Sequence, residues 1–295
     1  MTIGRRLLAV YNPHAAGGGY QRDIPLILAS LEGLGYDVTA RETQAVGHAV
    51  HLAREGVDSG FDVVCALGGD GTVNEALNGL AGSHVPLAIV PIGTVNVLAM
   101  ELGIPLDPPD AVRLLETGTT TSIDLGLAND RYFGLMAGVG MDAAVVAGLS
   151  PLMKRTLREA AFAVQGLAHY LSRDDPRIRV VSGEREIEGY FAVFGNASNY
   201  AGGFGITPLA DMRDGLLDVC VLKDRSFLST ATYWTAALLN AHLRHPRVEY
   251  FRTEEASVTC IEEGREVLVQ TDGEVAGRLP LTCKIVPHAL KVVVP

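Results

Sequence analysis

The sequence predicts two fold classes in one chain: an N-terminal α/β domain built on a parallel sheet, then an all-β antiparallel domain with inserted helices. Three observations carry this. Strand-like and helix-like segments alternate with short breaks over residues 1–127. From residue 128 the texture changes to short, turn-bounded, Val-rich segments. The length, 295 residues, is about twice the roughly 150-residue prior for one domain.

The elements follow in order. LLAVYN (7–12) reads as a strand, and DIPLILASLEGLG (23–35) has helical apolar spacing and stops at Gly35. YDVTARET is a strand, QAVGHAVHLAREGV a helix, and FDVVCALGG a buried strand running into a glycine turn. TVNEALNGLAG reads as a helix, VPLAIVPIG as a strand, TVNVLAMELG as a helix closed by Gly103, AVRLLETG as a helix and TSIDLGLA as a strand. The later strands are RYFGLMAGVG, IRVVSG, EIEGYFAVFGN, LLDVCVLKD, ASVTCI, EVLVQTDGE, LTCKIVP and ALKVVVP, which suit a sandwich or barrel. Helical stretches at 151–172 and 226–243 interrupt them, and the domain boundary is placed at 127/128, after SIDLG.

Composition excludes several function classes. Hydrophobic residues at 48% and charged residues at 20% suit a buried core, so disorder is excluded as the main state. A formal charge of -10 argues against holding nucleic acid through its phosphates. The scattered cysteines Cys65, Cys220, Cys260 and Cys283 form no CxxC pair, and MTIGRRLLAVYNP has too short an apolar run for a secretory signal. A reducing cytoplasm is expected. Residues 226–243 would reach about 27 Å at about 1.5 Å per residue, but their Ser, Thr, Asn and His content fits a docked or interfacial helix better than a spanning one.

GGDGTVNEALNGL (68–80) directly follows the buried strand. Gly68, Gly69 and Gly71 open backbone conformations closed to other residues, and the helix start offers unpaired N–H groups with the positive end of its dipole. Together these make an anion cradle suited to phosphate. Asp70 sharpens this, because a carboxylate aimed at phosphate is repulsive unless Mg²⁺ lies between them. PIGTVN (91–96) is a second strand-end turn, where Gly93 permits approach and Thr94 and Asn96 can donate to phosphate or ribose. NPHAAGGG (12–19), beginning at Asn12, is a third, and ligands in such folds sit at the carboxyl ends of the strands.

NPHAAGGG, GGDGTVNEALNGL, PIGTVNVLAMELGIP, SIDLG, AGVGMDA, the stretch from Thr207 to Val219, and TDGE occur in the order seen in the diacylglycerol kinase catalytic-domain family. The chain resembles its bacterial soluble lipid kinases over nearly its whole length. The resemblance implies a three-layer α/β domain and a C-terminal β-sandwich, with ATP and lipid meeting in a cleft between them. It puts ATP phosphates on Gly68, Gly69, Asp70, Gly71, Thr72, Asn74 and Thr94, and matches Thr43 to a threonine that contacts nucleotide. Glu274 matches the family's proton acceptor. One departure stands out: where many members read GTxND, this chain has Val97, so the acidic set is one smaller.

Phosphoryl transfer to a lipid hydroxyl is mostly in-line positioning and charge neutralisation. Asp70 and Asp124 are the candidate carboxylates for Mg²⁺, and Asp124 can instead orient the proton or cap a loop. A glutamate is a weak base toward an alcohol, so Glu274 works best if the proton leaves late. Asp211 and Asp214 with the Leu216 carbonyl can hold one hard cation, a site whose spacing the family shares, or form an acidic solvated turn. Asn74 can reach phosphate from the first helical turn, whereas Glu75 reads as structural. Lys154, Arg155 and Arg158, or Arg244, His245 and Arg247, give a helix a basic end that can touch anionic lipid briefly, or the helices cover the sandwich. Trp234, His48 and His51 read as packing and helix-face residues. An edge strand can pair two chains as a homodimer. The alternatives are a nucleotide- and lipid-binding protein that lost catalysis, supported by Val97, and an NAD kinase, which shares GGDGT but has a later Gly-rich motif around a Ser-Thr-Ala segment that is not found here.

Overall fold

The computed structural model describes residues 5–15, 19–140, 176–199, 205–239 and 241–295. The expected basic helix at 151–172 lies outside these residues, as do Gly17 and Gly18 of the first glycine turn. The chain divides into two units, Met1–Asp124 with Pro287–Pro295, and Leu125–Val286. The C-terminal segment therefore returns to the first unit, which a single cut after residue 127 does not capture.

In the first unit the strands β1 (Arg6–Tyr11), β2 (Asp37–Glu42), β3 (Val63–Gly68) and β4 (Leu87–Pro91) run parallel in the order β2-β1-β3-β4. Every residue of β3 and β4 is buried, as expected for central strands covered on both faces, whereas edge strand β2 has none that is. The helices α1 (Ile24–Gly33), α2 (His48–Asp58), α3 (Asp70–Leu80), α4 (Val97–Glu101) and α5 (Pro108–Thr117) connect them. α2 buries only Ala49, Leu52, Ala53 and Gly56, one stripe of an amphipathic helix. α3 starts at Asp70 itself, two residues earlier than the periodicity indicates, because Gly69 takes the extended N-cap conformation.

β5 (Thr119–Ala128) carries the chain out of the first unit. In the second unit β6 (Arg131–Phe133), β7 (Met136–Gly140), β8 (Ile178–Ser182), β9 (Arg185–Gly189), β10 (Phe191–Gly195), β11 (Leu217–Leu222), β12 (Val248–Thr253), β13 (Glu255–Cys260), β14 (Leu268–Thr271) and β15 (Glu274–Arg278) follow, and β16 (Leu281–Val294) begins there and ends in the first unit. One antiparallel sheet has the order β12-β11-β10-β7-β14-β15, and the other contains the run β16-β13-β8-β9. A continuous core that includes Phe133, Phe194, Val219, Val258 and Leu281 fills the sandwich. The first part of β16 alternates buried and exposed positions, the pattern of a strand with one face on that core.

Several strands differ from their sequence reading. EIEGYFAVFGN is two strands in different sheets: the chain switches at Tyr190, whose N–H donates to the Leu222 carbonyl. RYFGLMAGVG is also two, because the Gly134 and Leu135 amides leave the ladder for the Asp272 carboxylate. LTCKIVP and ALKVVVP form one strand bent at His288, whose φ is 53°. VEYFRT, unread from sequence, is edge strand β12. The expected helix at 226–243 is α6 (Phe227–Leu238) followed by a 3₁₀ turn at His242–Arg244. The Ser226 hydroxyl caps α6 by accepting from Ser229 N–H. Trp234 packs against Tyr233 at 5.2 Å and Phe191 at 6.1 Å, consistent with packing. No helix among the described residues is long and apolar enough to cross a membrane.

Candidate active site

Parallel strands put their carboxyl ends on one edge. Tyr11 pairs with Glu42 and Leu67, and Gly68 with Pro91, so Asn12, Thr43, Gly69 and Ile92 follow from neighbouring strand ends. Backbone bonds tie this edge together: Asn12 N–H donates to Leu67 O, Thr43 N–H to Tyr11 O and Ile92 N–H to Gly68 O. The edge thus gathers the three expected strand-end turns within the first unit.

The glycines act differently from the sequence reading. None of Gly68, Gly69, Gly71 and Gly93 has positive φ. Gly69 and Gly93 are instead the point where two turns touch, and a Cβ on Gly69 would lie 3.0 Å from Gly93 Cα. A Cβ on Gly68 would collide with the Thr72 side chain, which is buried. Close approach, rather than left-handed backbone, is what excludes a side chain at Gly68, Gly69 and Gly93.

Asp70 fastens the same two turns. Its Oδ1 accepts from Val97 N–H at 2.6 Å and its Oδ2 from Asn96 N–H at 3.0 Å. Burial raises its pKa from the usual carboxylate value, and the Val97 and Asn96 amides oppose that shift. Asn96, in left-handed conformation at φ 62°, accepts from Gly93 N–H at 3.0 Å and donates to Gly93 O at 3.2 Å. The sequence points Asp70 at a metal and the Asn96 amide at phosphate or ribose; in the structure both side chains bond within the 91–97 turn, and Asp70 ties that turn to the start of α3.

The other expected contacts divide. Thr94 is exposed at the turn, Asn12 and Thr43 are half-buried, and Gly71 lies in the first turn of α3. Asn74 is buried, with its Oδ1 3.4 Å from Asn78 Nδ2 one turn along α3. Glu75 is structural, but it caps another helix: Gly47 N–H donates to one oxygen at 2.7 Å and Ala49 N–H to the other at 2.9 Å, at the N-terminus of α2. Val97 is buried, and its N–H serves Asp70.

Asp124 is only 1% exposed, and its Oδ1 accepts from His288 N–H at 2.7 Å. It fixes the left-handed bend in β16, which makes it a backbone anchor within the first unit. Asp70 and Asp124 thus each accept from backbone amides, which uses part of the acceptor capacity of each carboxylate.

The second unit carries Glu274 at the start of β15, in a tight turn where Asp272 and Gly273 have φ of 48° and 81°. The Asp272 carboxylate accepts from the N–H groups of Gly134, Leu135 and Met136 at 2.7, 2.9 and 2.9 Å. Gln270 Oε1 accepts from Gly273 N–H at 2.8 Å. Glu274 is more exposed, and Arg131 Nη2 lies 2.6 Å from its Oε2. Sequence reasoning missed Arg131 and Asp272; the TDGE turn signal marked the hairpin, but nothing in the order of residues shows what the Asp grips.

The loop expected to hold a cation is also tied internally. Asp211 Oδ1 accepts from Arg213 N–H, and Asp214 Oδ1 from Leu216 N–H at 3.0 Å. Arg252 lies 3.4 Å from Asp214 Oδ2 and 3.3 Å from Asp218 Oδ1, and donates to Leu209 O. Asp218 is fully buried; burial raises its pKa, while Tyr250 O–H at 2.6 Å and Arg252 oppose the shift. Among the described residues no cluster of three or more His, Cys, Asp or Glu suits a metal. The all-oxygen donors of Asp211, Asp214 and the Leu216 carbonyl still fit a hard ion such as Mg²⁺, with the rest of its shell from water and Arg252 as a competing cation.

All four cysteines are free, and burial pushes the Cys65 thiol up to about 12, so it is inert packing and not a nucleophile.

Comparison with known proteins follows the same division. Residues 6–128 match the diacylglycerol kinase catalytic domain, and residues 135–294 the YegS C-terminal NAD kinase beta sandwich-like domain. A diacylglycerol kinase from Staphylococcus saprophyticus is 29% identical over 94% of this chain and 91% of its own. One from Bacillus subtilis is 28% identical over 94% of this chain and 92% of its own. Among solved structures, a diacylglycerol kinase from Bacillus anthracis str. Sterne covers 100% of this chain and 98% of its own, with a TM-score of 0.79 at 21% identity, a likeness of fold. Strand-end turns, β-sandwich and both family matches agree: the chain belongs to the diacylglycerol kinase catalytic-domain family and is an ATP-dependent lipid kinase, a phosphotransferase with an alcohol acceptor.

Proposed function

We propose that the acceptor is the hydroxyl of diacylglycerol, presented at a membrane surface, and that Glu274 takes its proton. The observation that carries the nucleotide half is the backbone contact of Gly69 with Gly93, which holds two strand-end turns together at the N-terminus of α3. Amides at a helix start bind phosphate without a lysine. In this reading Gly69, Gly71, Thr72 and Thr94 line the phosphates, and Asn12 and Thr43 the nucleotide beside them. Gly68, Asp70, Asn74, Gly93 and Asn96 shape the cradle.

The acceptor oxygen attacks the γ-phosphorus as the bond to the β–γ bridging oxygen breaks, and ADP leaves. The hydroxyl proton passes to the Glu274 carboxylate late in the step, as charge falls on the attacking oxygen. Mg²⁺, where bound by Asp211, Asp214 and the Leu216 carbonyl, supplies positive charge that stiffens the 211–216 loop. Asp124 enters as a backbone anchor. The chain's own net charge of -10 leaves bilayer contact to local features such as the basic segment around Arg244, His245 and Arg247. Edge strands β12 and β15 offer pairing to a second copy, which is the homodimer reading.

Transfer of labelled γ-phosphate to diacylglycerol in mixed micelles tests this. Product is expected with wild type and lost in Glu274→Ala. Equal product from both would remove Glu274 from the role, and a lipid panel read by mass that excludes diacylglycerol would change the acceptor.

A further inference from the structure

The Glu274 carboxylate is held at one oxygen only. Arg131 Nη2 lies 2.6 Å from Oε2, with the two side chains 29% and 37% exposed, while Oε1 has no hydrogen bond or ion pair among the described residues. Both backbones that carry the pair are fixed. Arg131 opens β6, which pairs antiparallel with β5 at Ala128, and the fully buried Phe133 anchors the other end of that strand. On the other side, Asp272 grips the Gly134, Leu135 and Met136 amides, and its own N–H donates to Met136 O. The 131–136 segment therefore holds the Thr271–Glu274 turn through its backbone and the Glu274 side chain through Arg131.

From this we infer that Arg131 is a positioning residue for Glu274: it anchors Oε2 and leaves Oε1 as the oxygen that receives the acceptor proton. The inference rests on Glu274 being the proton acceptor. A glutamate side chain otherwise samples several rotamers, and a base misplaced by about 1 Å loses roughly 100-fold in rate. The contact is a single Nη2···Oε2 bond and not a bidentate fork, so a lysine ammonium can replace it in part. Neither residue belongs to the phosphate cradle, which predicts a specific kinetic split.

The test is steady-state kinetics of wild type, Arg131→Met, Arg131→Lys and Glu274→Ala with ATP and diacylglycerol micelles, alongside thermal melts. Arg131→Met is expected to lower kcat about 10- to 100-fold with the KM for ATP within about 2-fold. Arg131→Lys should recover most of that loss, and millimolar methylguanidinium should partly restore Arg131→Met. An inactive Glu274→Ala beside an Arg131→Met of wild-type kcat would overturn the role of Arg131 and leave that of Glu274 standing. A fully active Glu274→Ala would remove both. Equal losses in the Lys and Met variants at unchanged melting temperature would also overturn the inference. If Arg131→Met does not fold, Arg131→Gln takes its place: a kcat loss in Arg131→Gln that Arg131→Lys largely recovers supports positioning, and wild-type kcat in Arg131→Gln refutes it.

Discussion

A methyl group placed at Gly93 probes the contact on which the nucleotide half of the site rests. Built on the present backbone, its Cβ would lie 2.5 Å from Asn96 Oδ1 and collide with Gly69 Cα. Ordinary contact is about 3.5 Å, so something must move by roughly 1 Å. Neither neighbour gives way easily, because Gly69 is backbone and Asn96 is bonded twice to Gly93 itself. Overpacking of this kind destabilises by about 1–3 kcal/mol. In a protein of this size that lowers Tm by roughly 2–12 °C. The same displacement moves the two turns that frame the phosphates, so kcat/KM for ATP should fall by about 100-fold. Calorimetry and steady-state kinetics on Gly93→Ala check both numbers. Gly33→Ala is the control: it ends α1 with nothing within 4 Å of the added Cβ, so it should stabilise by up to about 1 kcal/mol. A Gly93→Ala protein with the wild-type Tm and kcat/KM would refute the close-contact explanation of these glycines.

Two further perturbations separate scaffold from chemistry. Glu75→Ala removes both acceptors from the start of α2, and losing charge-assisted bonds there should cost about 2 kcal/mol in urea unfolding, with Glu75→Gln costing less; a loss below about 0.5 kcal/mol would dismiss the capping role. Asp70 binds its proton more tightly folded than unfolded, since burial raises its pKa from 3.8, so its contribution to stability is present below that value and declines as pH rises through the folded pKa. The stability of Asp70→Asn should therefore decline less than wild type over that window at fixed ionic strength, and parallel curves for the two proteins would contradict the burial effect.

The nucleotide-side elements were legible because the parallel-sheet strands are continuous apolar runs such as VVCALG and LAIVP, bounded by glycine turns. The second unit was less so. EIEGYFAVFGN reads as one strand because an alternating half runs into a continuous apolar half without a turn signal, and only the pairing of β9 with β8 and of β10 with β11 and β7 shows that they belong to different sheets. VEYFRT carries two side chains, Tyr250 and Arg252, that serve the buried Asp218, so its apolar signal is diluted by polar residues with long-range partners. Within the site, motif order located the turns, whereas the roles of Asp70, Asn96 and Asp124 were assigned to ligands that their geometry gives to backbone amides.

The strand–helix alternation, the Val-rich segments and the DGT, GTVN and DGE turns were enough to determine the two fold classes, the family and the carboxylate proposed for proton transfer. These are local facts, set by which residues tolerate a turn or start a helix. The tertiary structure alone decided that Gly93 exists for Gly69, that Glu75 belongs to α2, and that Glu274 has Arg131 as its partner across a separation of 143 in sequence. Each is a contact between segments far apart in the chain, and a hydrogen bond or a steric limit depends on distance in space, which neighbouring residue types do not encode.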